Sequence, residues 1–354
     1  QIGRGNNSDY SNSKNSSKGL SEKLQEVIAV KKQYRQIIGA VLILVTVLCG
    51  CRGAAIDKKA EEGKEKRYNP KVVGVSLADK SIYLTRVAEA MEKAAQNEGM
   101  EVIFKYAGWD AEEQKHQIEE FIEQGVGSII IAPVNSKAAL IPLKKAKEAN
   151  IPVINVNMKV DGISSEYIQA YVGASSSEEG EKAAELMIEL LGAEGGKIGI
   201  VEGSPGSDPQ IYRTQAFSDT LEPYSSIQIV GVGNGAWNRT KAKLVTMDLI
   251  RKTPDIKGIY CHDSEMAMGA IEALTDMGKI GQVKVIGIAE DEEYMDALEA
   301  GKLAGIITQP PEYEGKYSIY CALWKIQGKK LIPWYKDPIQ VLTQENISTY
   351  REKW

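Results

Sequence analysis

Val72-Val73-Gly74-Val75 opens an alternation that leaves few folds available to this chain: short β-branched, continuously apolar runs separated by stretches of helical periodicity. Further runs follow at Glu101 to Lys105, Ser128 to Ile131, Pro152 to Val156, Lys197 to Val201, Ile227 to Val232, Gly258 to Cys261, Val283 to Ile288 and Ala304 to Thr308. Between them the apolar spacing predicts helices over Tyr83 to Asn97, Ala111 to Gln124, Lys137 to Ala149, Ser177 to Leu191, Tyr212 to Leu221, Arg239 to Arg251, Glu265 to Met277, Glu292 to Ala300 and Glu312 to Gln327. Strands apolar on both faces and joined by helices belong in parallel sheets covered on each side. So many βα units exceed one sheet. The expectation is an α/β protein of two doubly wound parallel-sheet lobes.

Upstream, the run from Ile37 to Leu48 follows Lys31, Lys32 and Arg35 and ends in Leu48-Cys49-Gly50-Cys51. A membrane-spanning helix needs about 20 apolar residues, which this run lacks. With its basic flank, short apolar core and Leu-x-Gly-Cys ending, the segment resembles a bacterial lipoprotein signal peptide. The alternative is a core helix that happens to end in Cys. The resemblance implies that Cys51 is the lipidated first residue of an extracytoplasmic protein, held at the outer face of the cytoplasmic membrane by more than one acyl chain. Residues 1–29, rich in Ser, Asn, Gly and Lys, read as disordered or over-extended; 30–50 as the signal; and 51–69, of mixed charge, as a flexible tether.

The remaining body, Pro70 to Trp354, has the length of two ordinary domains, and 43% of the chain is apolar. A net charge of −5 without a basic stripe argues against nucleic acid as a partner, because neutralising phosphates dominates that affinity. Two of the 4 cysteines, Cys49 and Cys51, belong to the signal and its cleavage point. The others, Cys261 and Cys321, are too few for a disulfide framework and are expected to stay unpaired. With only His116 and His262, a histidine-based metal or acid-base site is not expected, nor is a cofactor. Cys261-His262-Asp263 holds triad-type residues, but neighbours on extended backbone point to opposite faces. Gly203-Ser204-Pro205-Gly206-Ser207 lacks the Gly-Lys-Ser/Thr of a phosphate loop and reads as a loop that closes a cleft. None of these motifs supports catalysis, and an enzyme is not expected.

In doubly wound sheets, ligands bind beyond the carboxyl ends of the strands. The residues there include Ser76 to Tyr83, Ala132 to Asn135, Asn157 and Met158, Glu202 to Asp208, Trp237, His262 and Asp263, Glu290 and Asp291, and Gln309. Many are planar polar or aromatic groups suited to paired hydroxyls and to the C–H face of a sugar ring. Each alone reads more readily as turn chemistry or a helix cap, and it is their convergence on one rim that raises the functional reading.

Four segments carry a family resemblance: Ala149-Asn150-Ile151-Pro152-Val153-Ile154, Tyr171-Val172-Gly173-Ala174, Asp263-Ser264-Glu265-Met266-Ala267-Met268-Gly269-Ala270, and Gly301 to Gln309. Through them the body, from Lys71 to about Val341, resembles the ribose- and galactose-type substrate-binding proteins of ABC importers, which have the type I periplasmic-binding-protein fold. Related repressors share that fold but begin with a helix-turn-helix, and the lipoprotein-like segment favours transport. The resemblance implies ligand contacts at Ser76, Asp79, Lys80, Tyr83, Asn157, Arg213, Trp237, Asp263, Glu290 and Gln309. Tyr83 and Trp237 would stack on the ligand and Arg213 would donate to its oxygens. The sequence also departs from the ribose pattern. Met158 stands where ribose binders place arginine, Ala132 where they place asparagine, and Ala289 where they place aspartate, with Glu290 next in line. Lys80 and Arg213 facing one pocket would suit an acidic sugar; pairing with Asp263 and Glu290 would leave room for a neutral polyol, and Met158 for a deoxy position.

The resemblance further implies a multi-segment hinge, with crossings near Gly173 to Ser175, Gln309 to Pro311 and Gly328 to Leu331. One lobe would comprise 70–174 plus 310–330, and the other 175–309 plus 331–354. A ligand touching both lobes only when they close shifts an open–closed equilibrium. The closed, monomeric protein would present its sugar or polyol to membrane permease subunits, or alternatively to a chemoreceptor or sensor kinase.

Overall fold

The computed structural model describes residues 68 to 352, so the signal-like segment, Cys51 and the tether up to Arg67 lie outside the described residues. The chain begins with β1 (Asn69–Leu77), α1 (Ile82–Asn97), β2 (Glu101–Tyr106), α2 (Ala111–Gln124), β3 (Val126–Ile131), α3 (Leu140–Glu148), β4 (Val153–Val156) and β5 (Ala170–Gly173). It continues with α4 (Ser176–Leu191), β6 (Gly196–Glu202), α5 (Asp208–Leu221), β7 (Ile227–Asn234), α6 (Arg239–Lys252), β8 (Ile256–Cys261), α7 (Ser264–Asp276), β9 (Lys284–Ile288), α8 (Glu292–Glu299) and β10 (Gly305–Ile307). The last elements are α9 (Pro311–Ile326), β11 (Trp334–Lys336), β12 (Val341–Leu342) and α10 (Ile347–Arg351).

The strands form two six-stranded sheets, ordered β11-β5-β4-β3-β1-β2 and β12-β10-β9-β8-β6-β7. This is the expected pair of doubly wound lobes. Pairing is parallel except where β12 runs antiparallel to β10. Strand alternation explains why the runs look continuously apolar: in β1, Val73, Val75 and Leu77 pack with Leu84, Val87 and Met91 of α1 and Ile319 of α9. Val72 faces the other way, into Ile118, Phe121 and Leu143 of α2 and α3. The second lobe repeats this arrangement. Ile259 and Cys261 join α6, α7 and α8, whereas Ile198, Ile200 and Tyr260 join α4 and α5. Each such fully buried aliphatic contributes about 1.5–3 kcal/mol, so both sheets are fixed from two sides.

The chain passes between lobes at 174–175, 308–310 and 337–340. The first lies between β5 and α4 and the second between β10 and α9. The third comes later than 328–331: Trp334 and Lys336 pair with Tyr171 and Gly173, adding β11 to the first lobe's sheet, and the chain reaches the second sheet only at Val341. Pro333 and Pro338 flank this three-residue edge strand and disguise it as a loop. Trp334 holds it in place by donating from Nε1 to the Gly173 carbonyl at 2.8 Å. Residues 331–336 therefore belong to the first lobe. Cys261 and Cys321 are both buried and free.

Candidate ligand cleft between the lobes

At the carboxyl ends of the strands the lobes enclose a cavity lined by Tyr83, Trp109, Asn157, Met158, Glu179, Arg213, Trp237, Asp263, Ala289 and Gln309, among others. Its walls come from both lobes. Trp109 projects from the turn after β2 and Trp237 from the loop after β7, and their indoles face each other with centroids 6.3 Å apart and planes 21° from parallel. Four lining residues hold positive φ angles: Trp109 at 64°, Asn157 at 61°, Trp237 at 59° and Ala289 at 94°. Such conformations are costly for residues other than glycine and persist where the surroundings force them, commonly at ligand sites.

Each indole is held from behind. Asp79 accepts from Trp109 Nε1 at 2.8 Å through Oδ2 and from the Ser81 backbone N–H at 3.1 Å through Oδ1. Trp237 lies flat against Gly203, where an ideal Cβ would sit 1.8 Å from ring atom Cζ2. Gly203→Ala is therefore expected to push the indole from its seat, seen as an altered tryptophan emission spectrum and a ligand affinity reduced toward that of a Trp237 truncation. An unchanged spectrum would contradict this packing. The same loop meets the other lobe: the Ser136 N–H donates to the Gly206 carbonyl at 3.4 Å, and a Cβ at Gly206 would fall 2.4 Å from Asn135 Nδ2. On the opposite side Arg86 of α1 donates to the Glu290 carbonyl of the second lobe. These contacts describe closed lobes.

Arg213, on α5, organises the polar floor. Its Nε donates to Glu179 at 2.9 Å, Nη1 to the His262 carbonyl at 2.6 Å, and Nη2 to Gln309 at 3.0 Å. Burial raises the Glu179 carboxyl, opposed by Arg213, and lowers the His262 imidazole, which stays neutral. Asp263 caps α7 by accepting from the Met266 N–H at 2.7 Å, and burial pushes its carboxyl up to about 7. Tyr83 Oη, Trp237 Nε1 and Glu179 Oε1 are buried without a protein partner, although all three residues line the cavity. Buried polar atoms ordinarily find a partner, so these are the groups a polar ligand would satisfy.

The structure thus places Tyr83, Asn157, Arg213, Trp237, Asp263 and Gln309 on the cavity, together with Met158 and Ala289. Ser76, Asp79, Lys80 and Glu290 do not line it. Ser76 points into the first lobe, donating to Gln117 at 2.8 Å and accepting from Gln114. Asp79 supports Trp109 from outside the lining. Lys80 lies over the Tyr106 ring, 4.8 Å from its centroid. The positive φ at Ala289 turns the chain so that Ala289 faces the cavity while Glu290 accepts from the Tyr350 hydroxyl on the other side. Trp109, Ser176 and Glu179 were not anticipated. Trp109 obeys the strand-end rule after β2. Ser176 and Glu179 follow β5, which reads in sequence as a hinge rather than a strand. Among the described residues no group of three or more His, Cys, Asp or Glu is arranged to hold a metal.

Comparison with known proteins agrees with this geometry. A family model described as a periplasmic binding protein domain matches residues 73–330, and the chain belongs to that family. The ribose import binding protein RbsB of Bacillus subtilis is 27% identical over 317 residues, 89% of this chain and 100% of its own length. A xylitol-binding protein of Mycolicibacterium smegmatis is 26% identical over 313 residues, 88% of this chain and 86% of its own. Among solved structures, an ABC transporter solute binding protein from Bacillus halodurans with bound myo-inositol superposes with a TM-score of 0.76 at 30% identity, covering 81% of this chain and 99% of that one. These relatives are binding proteins rather than enzymes.

Proposed function

We propose that this chain is the extracytoplasmic substrate-binding component of an ABC importer and that its cleft captures a neutral sugar or polyol by lobe closure. The observation that carries this reading is the pair of indoles brought face to face from opposite lobes over a floor of unpartnered polar atoms. A ring with C–H faces and peripheral hydroxyls suits both features. An acidic sugar is disfavoured. Among the described lining residues the one cation is Arg213, already bonded to Glu179, Gln309 and a carbonyl, while Lys80 faces Tyr106. Met158, Ala289 and Leu84 supply an apolar stretch of wall that suits a deoxy or methyl-bearing position better than a further hydroxyl. Binding proteins for ribose, xylitol and myo-inositol among the relatives support the neutral class.

The test is a thermal-shift screen of D-ribose, D-allose, xylitol and myo-inositol against the corresponding sugar acids. A ligand at about 100 times its dissociation constant adds about 2.7 kcal/mol of stability. Stabilisation by a neutral compound is expected, and stabilisation by sugar acids alone would overturn the reading.

We also propose that the protein is anchored through lipidated Cys51, as the signal-like segment before it suggests. Among the described residues no helix is long and apolar enough to cross a membrane. Cys51→Ala is expected to abolish metabolic lipid labelling and membrane retention while Cys49→Ala leaves both intact. Labelling that survives Cys51→Ala would exclude this anchor.

A further inference from the structure

Two buried acids meet at the hinge, beneath the cleft. Glu314, on the first turn of α9, is 0% exposed, and Asp337, the first residue of the third crossing, is 3% exposed. Glu314 Oε1 accepts from Gln309 Nε2 at 3.1 Å and from Asn157 Nδ2 at 3.3 Å. Both donors line the ligand cavity. The Asp337 N–H donates to the Gly173 carbonyl at the end of β5. The pair therefore touches all the crossings: Gly173 precedes the first, Gln309 lies in the second and Asp337 begins the third.

Neither carboxyl oxygen of Asp337 nor Glu314 Oε2 has a hydrogen-bond partner in the protein, although the two acids attach at neighbouring points, Glu314 to Asn157 and Asp337 to Gly173, where β4 and β5 end side by side. Two carboxylates have no hydrogen to share. Two acids buried together without donors are relieved by a proton on one of them.

We propose that Glu314 and Asp337 form a proton-sharing carboxyl pair at the hinge, and that through it Glu314 is a positioning residue that holds Asn157 and Gln309 in place for the ligand. The charged groups facing the pair are the carboxylates of Glu179 and Glu290; Arg213 reaches it through Glu179 and Gln309, and the phenols nearby are Tyr83, Tyr171 and Tyr313. Burial pushes Glu314 up to about 7, and burial together with the Glu314 charge moves Asp337 in the same direction. The sign follows from these directions. The folded pair keeps a proton over a range in which the unfolded carboxyls, at their ordinary values near 4, have lost theirs. Stability must therefore fall as pH rises from about 4 toward 7 and level off above the folded titration.

The positioning role rests on the cleft being the ligand site; proton sharing does not, and is tested without ligand. Glu314→Gln keeps an acceptor oxygen for Asn157 and Gln309 and supplies the N–H that Asp337 lacks. In urea unfolding of the full chain between about pH 5 and 7, the ratio of the parent's unfolding constant to that of Glu314→Gln is expected to rise up to tenfold per pH unit, the signature of one proton. A ratio that does not change with pH would overturn the shared proton, whatever the variant does to stability. Positioning is read by calorimetry with the same four neutral compounds. Glu314→Ala is expected to weaken the ligand that binds the parent at least tenfold, and Glu314→Gln to leave it within about threefold. Equal losses in both variants would overturn the positioning role. Failure of the parent to bind any of the four would overturn the cleft reading and positioning together, while the pH ratio would still decide the carboxyl pair.

Discussion

Arg213→Ala is expected to lower the unfolding free energy by about 3–5 kcal/mol, because it breaks a buried ion pair and leaves a carboxylate without its counter-charge. The guanidinium side chain is 4% exposed and its partner Glu179 0% exposed. The same change also strips the His262 carbonyl and Gln309 of a donor. Arg213→Lys restores the charge but not the three-way fork, and is expected to recover only part of the loss. Chemical denaturation checks this. A loss below about 1 kcal/mol would mean that water replaces the guanidinium easily and that the floor is looser than its bonds imply. Ligand affinity should be measured on this variant only below its unfolding transition, since Arg213 supports the cleft as well as lining it.

Trp237→Ala should act on binding instead. Its indole supplies half of the aromatic clamp and is packed on Gly203 rather than buried in the lobe core. Lost stacking contributes ~0.5–1.5 kcal/mol beyond area burial, and with the lost burial a total of about 2 kcal/mol is expected, roughly thirtyfold in Kd. Trp109→Ala should match it from the opposite lobe. A large effect at one tryptophan and none at the other would mean that the ligand rests on a single platform.

Much of the fold was legible because its signals are local. Helix α2 carries both of its ends in residue type: Asp110 caps it by accepting from the Glu112 and Glu113 N–H groups, and Gly125 ends it in the left-handed conformation. The βα alternation likewise fixed two parallel sheets, since strands buried on both faces cannot alternate polar with apolar. β11 escaped because an edge strand of three residues between prolines carries no period. The cleft followed the same division. Tyr83, Asn157, Asp263 and Gln309 sit just beyond strand ends, where position alone selects them. Ser76 failed because it is still inside β1, where one residue of register decides between core and cleft. Glu290 failed by one residue for a similar reason, since the backbone turn at Ala289 leaves no mark in residue type. Lys80 failed because a long cation on a loop can settle on any nearby ring, and it chose Tyr106. Trp109 stands just beyond β2, within reach of the strand-end rule, whereas Glu179 follows β5, whose four residues read as a hinge crossing.

The central claim is that both lobes close on a neutral polyhydroxylated ligand held against Trp109 and Trp237. Isothermal calorimetry of the full chain and of the Trp109→Ala and Trp237→Ala variants, against a neutral compound from the screen and its carboxylated counterpart, tests it directly. The account predicts one neutral molecule bound per chain, weakened roughly thirtyfold in each variant, and no detectable heat from the acid. Tighter binding of the acid, or neutral binding unchanged in both variants, would contradict it.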